Sequence, residues 1–263
     1  MPLRQLHQAV GLVHQISGSQ DGIPVVYLPG VHGCWTPLYQ ARPLLEQKVR
    51  LIEVAYPLLE SWTLVDYAQS LFDLLDAIGI ESAHLVGESF GSLVGWQAGQ
   101  LYPERIRSHL LVGGLCRGPK GHRAALARLG LLMMPSFVFN RGIDMYVAYK
   151  NAGGETRSQP HVRAYPAVRD RPGQRATANR MQLIKHADFR DVLAQTEYPV
   201  RYLGGEQDNV ISVQREIDTL AQRLSHHASF KSYLIPRAPH AIIASHPHQT
   251  VDYLTDWVTE LEM

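Results

Sequence analysis

The chain has 263 residues, with 25 Lys and Arg against 24 Asp and Glu and a formal net charge of +1. Hydrophobic residues make up 45% and charged ones 19%, the balance of a globular domain able to bury its own core without disulfides or structural metals. A charge so close to zero argues against a wholesale nucleic-acid binder, which needs an excess of Lys and Arg.

Two cysteines, Cys34 and Cys116, make neither a disulfide framework nor a CxxC motif, so a reducing compartment is the simpler expectation. Met1 to Gly22 lacks an apolar signal core, being interrupted by His7, Gln8, His14 and Gln15. The most apolar stretch, Leu129 to Phe139, contains Pro135 and is too short for a transmembrane segment. The expected location is cytoplasmic.

In chain order, Val25–Leu28 is the first expected strand, closed by Pro29-Gly30, and Val49–Ala55 is the second. From Thr63 to Ile78, Leu64, Tyr67, Ala68, Leu71, Leu74, Leu75 and Ile78 share one helical face, and Gly79 stops the helix. His84–Val86 is a strand that runs into Gly87, and Ser89–Tyr102 a helix ended by Pro103. Arg107–Val112 is another strand. The rhythm resumes with a strand at Val200–Leu203, a helix at Val213–Leu224, a strand at Ser229–Ile235 and a closing helix at Val251–Leu261. Such alternation predicts an α/β fold, a mostly parallel sheet flanked by helices. Between residues 117 and 190 the rhythm fails, in a stretch with five prolines and helical patches. We expect a core of 1–116 and 191–263 and a mainly helical cap, or lid, over 117–190, because a structureless loop of that length is improbable.

Gly87-Glu88-Ser89-Phe90-Gly91 is a G-x-S-x-G sequence set between an apolar strand and a helix. A strand-to-helix turn there strains Ser89, lifts its hydroxyl clear of the sheet and aims a helix N-terminus at developing negative charge. A serine nucleophile needs a base and an orienting acid. Asp208 follows the strand Val200–Leu203, with Glu206 as its competitor. His240 follows the strand ending at Ile235, with His246 and His248 as alternatives. Order and position favour Ser89, Asp208 and His240 as the catalytic set. No HExxH or other metal spacing occurs, and no metal or cofactor is expected.

These separated motifs, in this order over nearly the whole chain, resemble the α/β-hydrolase superfamily. The resemblance implies Ser89 as nucleophile, Asp208 as acid and His240 as base, and it places the 117–190 insertion where family members carry a cap. Many members hold an alternative acid after the strand that ends here at Val112. This chain has Gly113-Gly114-Leu115-Cys116 there, without a carboxylate, which strengthens Asp208. The oxyanion hole is expected from the N–H of Phe90 and from the loop Pro29-Gly30-Val31-His32-Gly33-Cys34. If Pro29-Gly30 stands for the usual His-Gly, the second donor is Val31; if His32-Gly33 does, it is Cys34. The first register is preferred.

Residues 117–190 hold 11 Arg and 3 Lys against 4 acids, a net of +10, which leaves −9 on the other 189 residues. Either this is a solvated surface, or it attracts an anionic partner or substrate, such as a carrier-linked acyl group. Trp35, Met133, Phe137 and Tyr146 are candidate walls of the substrate pocket. The expected activity is hydrolysis of a small-molecule carboxylic ester through an acyl-enzyme. The same triad also supports thioester hydrolysis or acyl transfer, and the fold supports a low-turnover ligand-binding receptor.

Overall fold

The computed structural model describes residues 11–119, 123–138, 140–141, 170–226 and 230–263. Seven strands form one sheet: β1 (Val13–Ser17), β2 (Pro24–Leu28), β3 (Arg50–Ala55), β4 (Ala83–Glu88), β5 (Ile106–Val112), β6 (Val200–Gly205) and β7 (Lys231–Ile235). Their order is β1-β3-β2-β4-β5-β6-β7. β1 pairs antiparallel with β3, and every other pairing is parallel.

The apolar strand runs follow from burial on both faces. Val26, Leu28, Ile52, Val54, Leu85, Leu111 and Tyr202 pack on one side, against α2 (Leu64–Ala77) and α3 (Phe90–Leu101). Their neighbours Val25, Tyr27, Leu51, Val86, Leu110, Val112 and Leu203 pack on the other. There they meet α1 (Arg42–Leu45), and Ile242 and Ile243 of a short helix, Ile242–Ser245. The closing helix Pro247–Glu262 adds Val251, Leu254, Trp257 and Val258. Alternation with period two divides consecutive strand residues between two cores.

Local signals set the helix ends. Thr63 caps α2 in a reciprocal box with Asp66: the Asp66 N–H donates to the Thr63 hydroxyl, and the Asp66 carboxylate accepts the Thr63 N–H. In α3, Gly95 makes room for a sheet residue, since a Cβ there would overlap the imidazole of His109 on β5. That ring is fully buried, 4.7 Å from the centre of Trp96, and neither of its nitrogens has a hydrogen-bond partner among the described residues. Burial therefore depresses its pKa from 6.5 to about 3.

Below pH 6.5 the unfolded chain protonates this histidine while the folded one does not, so stability falls as pH drops from 6.5 towards 3. This group alone contributes a slope of up to about 1.4 kcal/mol per pH unit. Urea midpoints between pH 4 and 7 should fall less steeply for His109→Leu than for the wild type; parallel curves would refute the assignment.

Between β5 and β6 the structure describes α4 (Arg123–Met133) and α5 (Arg171–His186), which pack together. Gln174, buried on α5, donates to the carbonyls of Leu131 and Met134, and Arg171 donates to that of Leu132. The chain leaves and returns through one neck. The Gly118 N–H donates to Ala187, the Phe189 N–H donates to Cys116, and Arg117 bridges to Asp188. A four-residue helix, α6 (Arg190–Leu193), follows the neck, and α7 (Val213–Arg223) joins β6 to β7. Among the described residues, no helix is long and apolar enough to cross a membrane.

Candidate active site

Because β2, β4, β5, β6 and β7 run parallel, their carboxyl ends open on one edge of the sheet, where ligand sites gather in such folds. Four of these strand ends supply the candidate site.

Ser89 stands between β4 and α3 with φ 50° and ψ −113°, a conformation that costs a non-glycine residue on the order of 1–3 kcal/mol. Crowding explains the flanking glycines. A Cβ at Gly91 would collide with the carbonyl of Leu28, and one at Gly87 would lie 2.6 Å from Cα of Ser92. Hydrogen bonds hold the turn: the Ser89 N–H donates to Val112 at 3.1 Å, and the Ser92 hydroxyl donates to the Ser89 carbonyl at 2.6 Å.

Asp208 follows β6. Its Oδ1 accepts the N–H groups of Val210 (2.8 Å) and Ile211 (3.1 Å), which orients the carboxylate. The other oxygen meets Nδ1 of His240 at 2.6 Å, and the carboxylate is fully buried. His240, beyond β7, places Nε2 at 3.0 Å from the Ser89 hydroxyl. Since the carboxylate can only accept, Nδ1 carries the proton and Nε2 is left free to accept one from serine.

The competitors lie elsewhere. Glu206 accepts the backbone N–H of Arg237. The buried His246 meets Ser245 through Nδ1 at 2.9 Å, at the start of the last helix, and His248 follows it within that helix.

The loop after β2 lies against the nucleophile, for a Cβ on Gly30 would sit 3.5 Å from that of Ser89. Val31 comes next. The N–H of Cys34, the alternative donor, already points at Nδ1 of its own neighbour His32, at 3.3 Å. Phe90 opens α3, where helical amides have no partner within the helix. Its ring is buried edge-on to Tyr56 and Tyr67.

Of the expected pocket walls, Trp35 is half-buried and packs beside Cys34 and Ala55. Met133 and Phe137 are both 76% exposed, so neither belongs to the buried shell around Ser89. Tyr146 lies outside the described residues.

Sequence reasoning missed a second layer. Glu88, the variable residue before the nucleophile, is buried, accepts the Tyr27 hydroxyl and faces Nε2 of His32 at 3.4 Å. Burial opposes its ionisation, but His32, Tyr27 and His240 together hold its pKa below the ordinary range. Burial likewise disfavours charge on His32, and contacts with Cys34 and Glu88 outweigh it, raising its pKa. The His32 ring sits under Gly30, so this pair braces the loop beside Ser89. Its only sequence signal was an acid inside the G-x-S-x-G turn and a histidine in the loop after β2. Among the described residues, no three His, Cys, Asp or Glu side chains group as ligands for a metal ion.

The model of the alpha/beta hydrolase fold family matches residues 40–247. A pimeloyl-[acyl-carrier protein] methyl ester esterase of Methylococcus capsulatus is 24% identical, covering 95% of this chain and 99% of its own. A 3-oxoadipate enol-lactonase of Acinetobacter baylyi is 22% identical, over 94% of this chain and 93% of its own. Among solved structures, the enol-lactonase from Burkholderia xenovorans LB400 superposes with a TM-score of 0.78 at 15% identity, over 94% and 96% of the two chains.

Proposed function

The chain belongs to the α/β-hydrolase fold family and is an esterase-type hydrolase, and from that premise we propose that it cleaves a carboxylic ester through Ser89, His240 and Asp208. The observation that carries the reading is the unbroken line of contacts from Asp208 through His240 to the hydroxyl of a strained Ser89.

In this reading His240 Nε2 takes the serine proton as Oγ attacks the ester carbonyl. The N–H groups of Phe90 and Val31 hold the oxyanion, and Asp208 stabilises the imidazolium that forms. His240 then gives the proton to the leaving alcohol. Water, activated by the same nitrogen, releases the acid from the acyl-enzyme. Residues 117–190 act as a cap. The shared neck supports that role, as does the docking of α5: Asn179 donates to the Trp62 carbonyl and Arg180 to that of Val31. The +10 charge of that segment favours an anionic ester or a carrier-linked acyl group.

Pre-steady-state hydrolysis of p-nitrophenyl acetate tests the covalent step. A burst of p-nitrophenol equal to the enzyme concentration is expected when deacylation limits turnover. Catalysed hydrolysis in which hydroxylamine captures no acyl group would contradict an acyl-enzyme.

A further inference from the structure

Arg180 projects from α5 with its side chain completely buried. Nη1 donates to the Val31 carbonyl at 3.3 Å, while Nε and Nη2 have no acceptor among the described residues. The guanidinium lies flat on the loop after β2, and a Cβ on Gly33 would come within 2.6 Å of Nη2. Its Cζ stands 5.7 Å from the centre of the Tyr56 ring.

The surroundings supply further donors, and among the described residues no carboxylate is hydrogen-bonded to the guanidinium. The hydroxyls of Tyr56 and Tyr67 are buried without a partner among the described residues, as is that of Thr177, three residues before Arg180 on the same helix. The two phenol rings meet edge to face at 4.8 Å, and both touch Phe90. Burial raises the pKa of both phenols, helped by Glu88 at Tyr56 and by Asp66 at Tyr67, while the Arg180 charge pulls both down, so guanidinium and hydroxyls share one electrostatic environment. A buried cation is costly unless an anion faces it, and a planar guanidinium matches a carboxylate with two parallel hydrogen bonds.

We propose that Arg180, with the hydroxyls of Tyr56 and Tyr67, binds a carboxylate carried by the substrate, so that the scissile ester belongs to a short dicarboxylic acid. The proposal rests on the ester-hydrolase reading above. Spacing makes the acid short. The guanidinium is one hydrogen bond from Val31, whose own N–H is assigned to the oxyanion. One residue length of about 3.8 Å and two hydrogen bonds of about 3 Å each put Nη1 within about 10 Å of the reacting carbonyl oxygen, with Nε and Nη2 on the same guanidinium. That distance holds a few methylene groups and no long acyl chain.

The test compares kcat/KM for the monomethyl esters of succinic, glutaric and adipic acids with those for their neutral primary-amide counterparts. The wild type should favour the acid by on the order of 100-fold or more at its best chain length, because a site built to bind a charged group rejects an analogue lacking it. Arg180→Met should bring the acid-to-amide ratio close to one, and Arg180→Lys should retain part of it. Circular dichroism and fluorophosphonate labelling confirm that each variant is folded.

If Arg180 only braces the Val31 loop, Arg180→Met lowers both rates equally and leaves the ratio intact, which overturns the proposal. A wild-type ratio near one at every chain length overturns it without any variant. Equal inhibition by glutarate and inorganic phosphate would mark a general anion site and refute the substrate assignment. Failure of the ester-hydrolase reading is separately visible: p-nitrophenyl acetate would then give neither burst nor turnover, before any acid is compared.

Discussion

Ser89→Ala is expected to lower kcat for ester hydrolysis by a factor on the order of 10⁶, the loss seen when a triad nucleophile is removed. The imidazole of His240, 3.0 Å from the serine hydroxyl, would keep its bond to Asp208 but have no alcohol to activate. The fold should survive, since Ser89 is held at φ 50° by its backbone N–H and by the crowding at Gly87 and Gly91, none of which involves its hydroxyl. Alanine keeps the backbone strain and glycine relieves it, so Ser89→Gly should be equally inactive but more stable, by about 1 kcal/mol. In a domain of this size that raises Tm by roughly 2–4 °C. Glycine and alanine variants with the same Tm would show that the turn stores no strain.

Asp208→Asn should lower kcat by on the order of 10⁴ with little change in fold. The reason lies in how the carboxylate is held. One oxygen accepts two backbone N–H groups, from Val210 and Ile211, and only an oxygen can do that. An asparagine must therefore turn its carbonyl to the loop and its NH₂ to His240. An NH₂ facing Nδ1 favours the tautomer with the proton on Nε2, and that nitrogen can no longer accept from Ser89. Asp208→Ala loses the loop anchors as well, and the two lost hydrogen bonds to a charged group should cost about 1–3 kcal/mol of stability in addition. Asparagine and alanine variants are thus expected to separate in urea midpoint while both lose activity. An asparagine variant within tenfold of the wild-type kcat would refute the tautomer argument.

How much of this could be read in the sequence depends on the kind of signal each element carries. The interior strands are apolar on both faces and end in glycine or proline, so β2 to β6 are visible within a residue or two. β1 escapes because it is an edge strand of mixed polarity. Its inward-leaning Gln15 donates to Glu53, itself buried and paired with Arg42, so polar contacts rather than an apolar stripe hold this strand. The helix Val251–Leu261 proves to start earlier, at Pro247, because proline at the first turn begins a helix rather than ending one.

That Ser89, Asp208 and His240 come together was legible because each follows a strand, and parallel strands deliver their ends to one edge. Glu88, His32 and Arg180 left no comparable signal. Their significance lies in contacts between β2, β4 and α5, which are far apart in the chain. Arg180 was visible only as one of eleven arginines in a basic segment. Its complete burial distinguishes it from exposed neighbours such as Arg175, which reaches Glu60 at the surface. Met133 and Phe137 show the converse: apolar composition suggested pocket walls, but α4 and the residues after it expose both side chains. For the second oxyanion donor the sequence allowed two registers; Val31 is the one proposed, next to Gly30, which lies against Ser89.

The central claim is that one serine carries the chemistry, and peptide mapping after reaction with a fluorophosphonate tests it most directly. A single adduct per chain, located at Ser89 and formed in step with loss of esterase activity, is the predicted result. An adduct on any other residue, or full esterase activity in protein whose Ser89 is quantitatively modified, would contradict it.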